Sequence, residues 1–125
     1  MLNGEFTARE VLLLHCLFSR HHDGVERERC LRNIITSPEP WVVPFVVQLV
    51  GEYVLEIIEV VQANLTRLPA ENYRAFLREN PAFVARTRAR VTSYWDCYYR
   101  DRFRDPRSYP GFAVLGFFDA LLERR

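Results

Sequence analysis

Cys97 is the side chain with the strongest potential chemistry, and it lies in the aromatic run SYWDCYYR at residues 93–100. A catalytic cysteine needs a nearby base, usually a histidine, that favours the thiolate. The histidines His15, His21 and His22 lie near the N-terminus, and no local signature pairs one of them with Cys97. Because free cysteines are among the most buried residue types, we expect a buried structural thiol surrounded by core aromatic rings.

Metal binding has one candidate, the run His21-His22-Asp23. Adjacent histidines on a loop do not converge easily on one ion, and no H-E-x-x-H or C-x-x-C spacing accompanies them. Asp23 also begins a capping-box pattern that ends at Glu26, so it has a structural role available. The sequence therefore predicts no metal centre and no cofactor, and its three widely spaced cysteines indicate reduced thiols rather than disulfides.

Three glutamates, Glu52, Glu56 and Glu59, recur at helical spacing in a stretch, residues 38–66, that contains no basic residue. The simplest interpretation is a solvated stripe opposite an apolar helix face. The same stripe could form an acidic patch that steers a basic protein partner. A third possibility is an internal ion pair between Glu52 or Glu56 and an arginine of residues 81–103.

Residues 86–104 interleave arginines with aromatic rings. This composition can bind single-stranded nucleic acid through base stacking and phosphate contacts. Such binding predicts a single exposed face that contains Arg86, Arg88, Arg100 and Arg104. The net charge of +1 is far from the strongly basic balance of dedicated nucleic-acid binders, so nucleic acid is the less favoured partner.

A small-ligand site or an enzyme is the other alternative, with a pocket between residues 41–65 and 81–103. Its lining would include Arg90, Tyr94 and Glu52 or Glu56. The sequence contains no glycine-rich phosphate loop, nucleophile elbow or Ser-His-Asp pattern. A non-catalytic role is therefore favoured over an enzyme.

Helix signals dominate the elements that must position these residues. A capping box from Thr7 to Glu10 precedes an apolar run, and the residues at 41–65 follow a helical period with a predicted split or kink near Gly51. The predicted helices cover residues 8–18, 24–35, 41–65 (split or kinked), 70–79, 81–103 and 112–122. In the helix at 81–103, the inward stripe is Val84, Thr87, Val91, Tyr94 or Trp95, and Tyr98, while Asp96 and Arg100 form an outer ion pair. We predict one all-α domain over residues 1–125, a compact helical bundle of six or seven helices.

The segments HHDGVERERCLRNI and PWVVPFVVQLVGEYVLEII, within residues 19–65, resemble helices of HEAT-type repeats. In those repeats a helix ends in a turn with Asp or Asn, and the next begins with a Val-Arg-like pair. The resemblance implies a partly HEAT-like helical-hairpin arrangement, as in α-solenoids, and a binding surface rather than catalysis. It assigns no functional residue.

The favoured function is non-catalytic protein–protein interaction, by a small bacterial-type adaptor, regulator or toxin-neutralising immunity protein. Its candidate binding residues are Glu52, Glu56, Glu59, Arg86, Arg90 and Tyr94. The apolar stretch at residues 41–50 could also seal a homodimer. No secretory signal or membrane-length apolar run is visible in the sequence, so we expect a cytoplasmic protein without a membrane partner.

Overall fold

The computed structural model describes residues 6–123, and within that range it contains seven α-helices and no β-strand. The helices are α1 (Ala8–Phe18), α2 (Gly24–Ile34), α3 (Val43–Val50), α4 (Leu55–Ala63), α5 (Ala70–Glu79), α6 (Pro81–Tyr94) and α7 (Pro110–Glu123). The all-α architecture of six or seven packed helices is confirmed. The HEAT-like character of residues 19–65 stays a prediction.

Helices α4 and α7 occupy the centre of the fold. Helix α4 packs against α2, α3 and α7, while α7 also packs against α5 and α6. Their fully buried side chains include Ile57 and Ile58 of α4 and Leu115 and Phe118 of α7. None of the helices between residues 6 and 123 combines the length and apolarity needed to cross a bilayer.

The N-terminal helices begin at the predicted caps, although only one capping box forms. Thr7 Oγ1 accepts from the Glu10 amide at 3.1 Å, and Glu10 Oε1 accepts from the Thr7 amide at 2.8 Å. Asp23 caps α2 by accepting from the Val25 amide. Its predicted partner Glu26 instead pairs with an arginine one turn along α2, so the second capping box was wrong.

The predicted break in residues 41–65 is confirmed, since a turn separates α3 from α4 after Val50. Pro44 lies in the first turn of α3, where its missing N–H costs no helical hydrogen bond. Gly51 begins the turn and lies against α6, because an added Cβ would meet Arg90 Cβ at 3.2 Å. The glycine therefore permits a close approach of the two segments.

The helix predicted over residues 81–103 is interrupted. Helix α6 ends at Tyr94, and a π-helical turn, Trp95–Tyr99, continues it. A π turn contains one more residue than an α turn. Tyr99 therefore takes the core-facing position that was predicted for Tyr98. Tyr98 is 70% exposed, and its predicted inward position was wrong. The inward positions upstream are as predicted: Val84, Thr87 and Val91.

Two polar side chains close helix ends in ways that the sequence did not indicate. Asn80 immediately precedes α6 but makes no side-chain cap hydrogen bond to it, and instead donates from Nδ2 to the Phe76 carbonyl of α5 at 2.9 Å. Arg74 is buried, and its Nε donates to the Leu121 carbonyl of α7 at 2.9 Å. Its guanidinium also pairs with Glu71. Arg74 thereby ties α5 to the end of α7.

Candidate functional site

The outer face of α1 carries apolar side chains that the fold leaves in solvent. Helix α1 packs mainly against α2, and Cys16 is its one fully buried residue. Leu17 is 55% exposed and Phe18 is 49% exposed, with Leu13 and Val11 also classed as exposed. Single exposed apolar residues are ordinary, whereas several on one short helix indicate an interaction surface.

A groove runs beside this face, between α1 and the segment at residues 40–50. Its wider part has a volume of about 440 Å³ and is lined by Arg9, Glu10, Leu13, Trp41 and Phe45. Its narrower part has a volume of about 100 Å³ and is lined by Arg20, Pro44, Phe45, Gln48 and Phe83. Phe45 lines both parts, so the two cavities adjoin there and we treat them as one groove; charged side chains line each part, Arg9 and Glu10 the wider one and Arg20 the narrower one. We call the outer face of α1 and this groove the α1 surface.

One wall of the α1 surface contains an unpaired donor. Trp41 Nε1 is buried, yet no residue in the range 6–123 accepts a hydrogen bond from it. Buried indole N–H groups usually have an acceptor. Most of the apolar segment around Trp41 is core, since Val42, Val43, Val46 and Val47 are buried. Of residues 41–50, which were predicted to form a homodimer contact, four line the groove: Trp41, Pro44, Phe45 and Gln48.

Glu52 lies in the turn between α3 and α4 rather than on the helix face predicted for it. Its Oε2 lies 3.2 Å from Arg27 Nε of α2, a contact that neutralises both charges without the alignment of a hydrogen bond. Glu52 thus forms an ion pair with α2 instead of the predicted internal ion pair with an arginine of residues 81–103. Arg27 also donates from Nη1 to the His21 carbonyl at 2.7 Å.

Arg27 is a structural residue that sequence reasoning missed. It is only 8% exposed, although it stands in a run of alternating acids and arginines that is typical of a solvated helix face. One signal could have found it. Arg27 precedes Leu31 by four residues and Ile34 by seven, which places it on the buried stripe of α2.

Glu56 and Glu59 are exposed on α4 and lie on the same side of the helix, three residues apart. Neither forms an ion pair or accepts a side-chain hydrogen bond from residues 6–123. The predicted acidic patch therefore has two free members instead of three.

Arg86 and Arg90 on the outer side of α6 line a small cavity, and Tyr94 is not among its lining residues. The Arg86 guanidinium lies 5.8 Å from the centre of the Phe83 ring. A shallow cavity of about 50 Å³ separates α3 from α6 and is lined by Gln48, Phe83, Arg86, Thr87 and Arg90. Ligand pockets usually have about 300–1,000 Å³, so this cavity cannot hold a drug-sized molecule.

Tyr94 belongs instead to a row of partly exposed tyrosines. Its ring centre lies 5.9 Å from that of Tyr53 and 6.1 Å from that of Tyr98. Tyr99 is linked to this row, because its hydroxyl donates to the Tyr53 carbonyl at 2.6 Å. Its phenol therefore bonds to the backbone, whereas the buried Tyr109 hydroxyl has no hydrogen-bond partner among residues 6–123.

The arginines proposed for nucleic-acid contact do not form one free face. Arg88 pairs with Asp119 of α7 at 2.7 Å. Arg100 pairs with Asp96 at 2.9 Å, which confirms the ion pair predicted for the outer side of SYWDCYYR. Two of the four candidate phosphate contacts are thus already engaged with carboxylates.

Cys97 is exposed, so its predicted burial was wrong, whereas Cys16 and Cys30 are buried. Burial, together with the nearby Cys30, raises the pKa of the Cys16 thiol to about 11. The part of the chain from residue 6 to residue 123 contains no group of three metal-ligating side chains. The run His21-His22-Asp23 is held locally, with His21 Nδ1 accepting from the Asp23 amide at 3.0 Å.

These thiol environments predict selective labelling. In the native protein near pH 7.5, Cys97 is expected to react with a maleimide at least ~100-fold faster than Cys16 or Cys30, which react only when the fold opens. Mass spectrometry of tryptic peptides over time measures the three rates. The variant C97S should lack the fast phase, and equal rates at Cys16 and Cys97 would contradict the burial of Cys16.

Comparison of the chain with protein-family models, curated proteins and solved structures found no match.

Proposed function

We propose that this protein is a non-catalytic protein–protein interaction module, an adaptor, regulator or immunity-type protein that binds through the α1 surface. The observation that carries the proposal is the exposure of Leu13, Leu17 and Phe18 beside a groove walled by Trp41 and Phe45. Apolar and aromatic side chains around a concave surface are the usual anchors of protein interfaces.

The energy available at the α1 surface suits a specific complex. Fully burying a Leu or Phe side chain contributes about 1.5–3 kcal/mol. Leu17 and Phe18 each keep about half of their surface exposed, so covering both with a partner would contribute roughly 2 kcal/mol. The groove adds the faces of Trp41 and Phe45, which are only half-buried. These contacts support reversible binding rather than permanent assembly.

Glu56 and Glu59 have a different part in the proposal. They are exposed, and neither forms an ion pair with residues 6–123, so they extend a negative field from α4. Such a field accelerates the encounter with a basic partner more than it tightens the final complex. Glu52 contributes less to this field because Arg27 neutralises it.

Small-ligand binding is a second candidate, favoured by one specific observation. The wider part of the groove, at about 440 Å³, falls within the size range of ligand pockets, and Leu13, Trp41 and Phe45 line it. An apolar molecule would suit it. Titration of the Trp fluorescence with indole-sized and fatty-acid probes distinguishes this candidate from a protein partner.

The interaction proposal predicts that Leu17→Arg abolishes most partner capture. A charged side chain in the middle of an apolar contact cannot be desolvated without a partner, so we expect at least a ~10-fold loss. The wild-type and variant chains are immobilised at equal density, exposed to a lysate of the native host, and compared by quantitative mass spectrometry.

The matched control is Tyr98→Gln, which removes the most exposed aromatic ring of the described chain but lies outside the α1 surface. It should capture the same partner at wild-type levels. The double variant E56Q/E59Q should slow association about 3-fold at low salt and leave dissociation unchanged. Equal capture by wild type and Leu17→Arg would overturn the proposed role of the α1 surface.

A further inference from the structure

Four exposed residues form a single stripe along α1: Glu10, Leu13, Leu17 and Arg20. Their spacing of three, four and three residues keeps them on one side of a helix. Arg20 lies just beyond the last residue of α1, but its amide still donates to the Leu17 carbonyl at 3.3 Å. A turn of this i, i+3 type holds Arg20 directly above Leu17, so the stripe continues to it.

The stripe is complementary to itself when reversed. It has an acid at one end, a base at the other and two leucines between them. If two copies align antiparallel about a two-fold axis that crosses the stripe at the level of residue 15, Leu13 of each copy faces Leu17 of the other. The same alignment places each Glu10 opposite an Arg20, since both pairs are centred on residue 15. A two-fold axis needs this kind of self-complementary patch.

We infer that the α1 surface binds a second copy of this chain, with the two α1 helices antiparallel. This inference rests on the proposed function, because it names the partner of that same surface. A parallel arrangement is excluded by charge, since it would bring Glu10 against Glu10 and Arg20 against Arg20.

The groove supplies the space for the second helix. Its wider part has Glu10 and Leu13 on the α1 side and Trp41 and Phe45 on the other. Its narrower part has Arg20 on the α1 side and continues along Phe45. The groove therefore has an apolar centre, with Glu10 and Arg9 in its wider part and Arg20 in its narrower part, so the Arg20 of a reversed α1 enters at the end that contains Glu10.

The contacts of Glu10 and Arg20 within the chain leave both charged groups available to bind a partner. Glu10 uses Oε1 to accept from the Thr7 amide, which leaves Oε2 for a partner. Arg20 forms no ion pair with residues 6–123. One helix pair and a groove make a small interface, and small interfaces give transient complexes. We expect a dissociation constant on the order of 10 µM.

Sedimentation equilibrium of the purified chain between 5 µM and 1 mM tests this inference. The wild-type chain should pass from monomer to dimer in that range, and Leu17→Arg should dimerise at least ~100-fold more weakly, because the axis places the substitution in the interface twice. The control Tyr98→Gln should behave as wild type. Circular dichroism verifies that each variant keeps its helices.

Charge reversal tests the antiparallel register. In R20E both ends of the stripe are acidic, and in E10R both are basic, so each variant alone should dimerise about 10-fold more weakly than wild type. An equimolar mixture should recover wild-type affinity within about 3-fold, because every acidic end again meets a basic end. E10R also loses the capping box, but the mixture retains that defect and so separates it from the charge effect.

The failures of the two proposals are distinguishable. A wild-type chain that is monomeric at 1 mM would overturn the self-association, and the interaction function would stand if Leu17→Arg still lost a captured partner. A dimer that forms but shows no recovery in the R20E and E10R mixture would overturn the antiparallel pairing.

Discussion

Gly111→Ala is expected to lower the free energy of unfolding by about 2–3 kcal/mol, the cost of forcing an extra methyl group into a packed core. Gly111 is buried near the start of α7, and an added Cβ would lie 2.8 Å from both Tyr109 Cε2 and Val91 Cγ1. Neither neighbour can retreat easily, because Tyr109 is 0% exposed and Val91 is 1% exposed. Urea denaturation followed by circular dichroism measures the change.

Gly116→Ala is the matched control on the same helix. No atom from outside its own stretch of helix lies within 4 Å of its added Cβ, and Gly116 is exposed. Since alanine is a better helix former than glycine, the control should stabilise the protein by about 0.5–1 kcal/mol. The two variants make the same chemical change, so opposite signs would show that packing at Gly111, rather than propensity, decides the result. A stabilising Gly111→Ala would contradict the close contact with Tyr109 and Val91.

Arg27→Met is expected to cost about 2 kcal/mol of stability, because it leaves a poorly solvated carboxylate and an unpaired carbonyl. The carboxylate belongs to Glu52, whose side chain is 19% exposed, and the carbonyl belongs to His21. Methionine keeps much of the volume of the arginine stem, so the loss reports the polar contacts. The residual exposure of Glu52 keeps the effect below that of a completely buried pair.

Arg29→Met on the same helix is the control, since Arg29 is exposed and pairs only with Glu26 on the helix surface. It should leave the urea midpoint close to that of wild type. Adding E52Q to Arg27→Met should recover part of the lost stability, because the amide needs less solvation than the carboxylate. If the double variant were less stable than Arg27→Met alone, the ion pair with Glu52 would not be the cause.

The helices could be predicted from the sequence because their signals are local. The capping box from Thr7 to Glu10, the break at Gly51 and the proline at the start of α6 each act within one or two turns. The resulting bounds of α1 and α5 agree with the structure at both ends. Local hydrogen bonding and steric preferences determine these features, so a single sequence contains the information needed to predict them.

The errors arose where packing between distant segments changes the register. The π-helical turn moves Tyr98 and Cys97 into solvent and turns Tyr99 inward, where its ring stacks on Tyr109 at 5.5 Å. A straight helical projection of residues 81–103 cannot show this shift. The exposed face of α1 also could not be predicted from the periodicity, because apolar positions on a helix are normally expected to be buried. Only the fold shows that α1 packs mainly against α2 and leaves its leucines and Phe18 exposed.

The bond from Arg74 to the Leu121 carbonyl links two helix ends that are far apart in the chain. Leu121 lies in the last turn of α7, and carbonyls in the last turn of a helix accept no hydrogen bond from an amide of that helix. Arg74 supplies the missing donor, and its positive charge opposes the negative end of the α7 dipole. Fraying of the end of α7 would therefore leave the buried Nε of Arg74 without an acceptor, although Glu71 would still pair with its guanidinium. We therefore expect α5 and the last turn of α7 to lose amide-exchange protection as one cooperative unit.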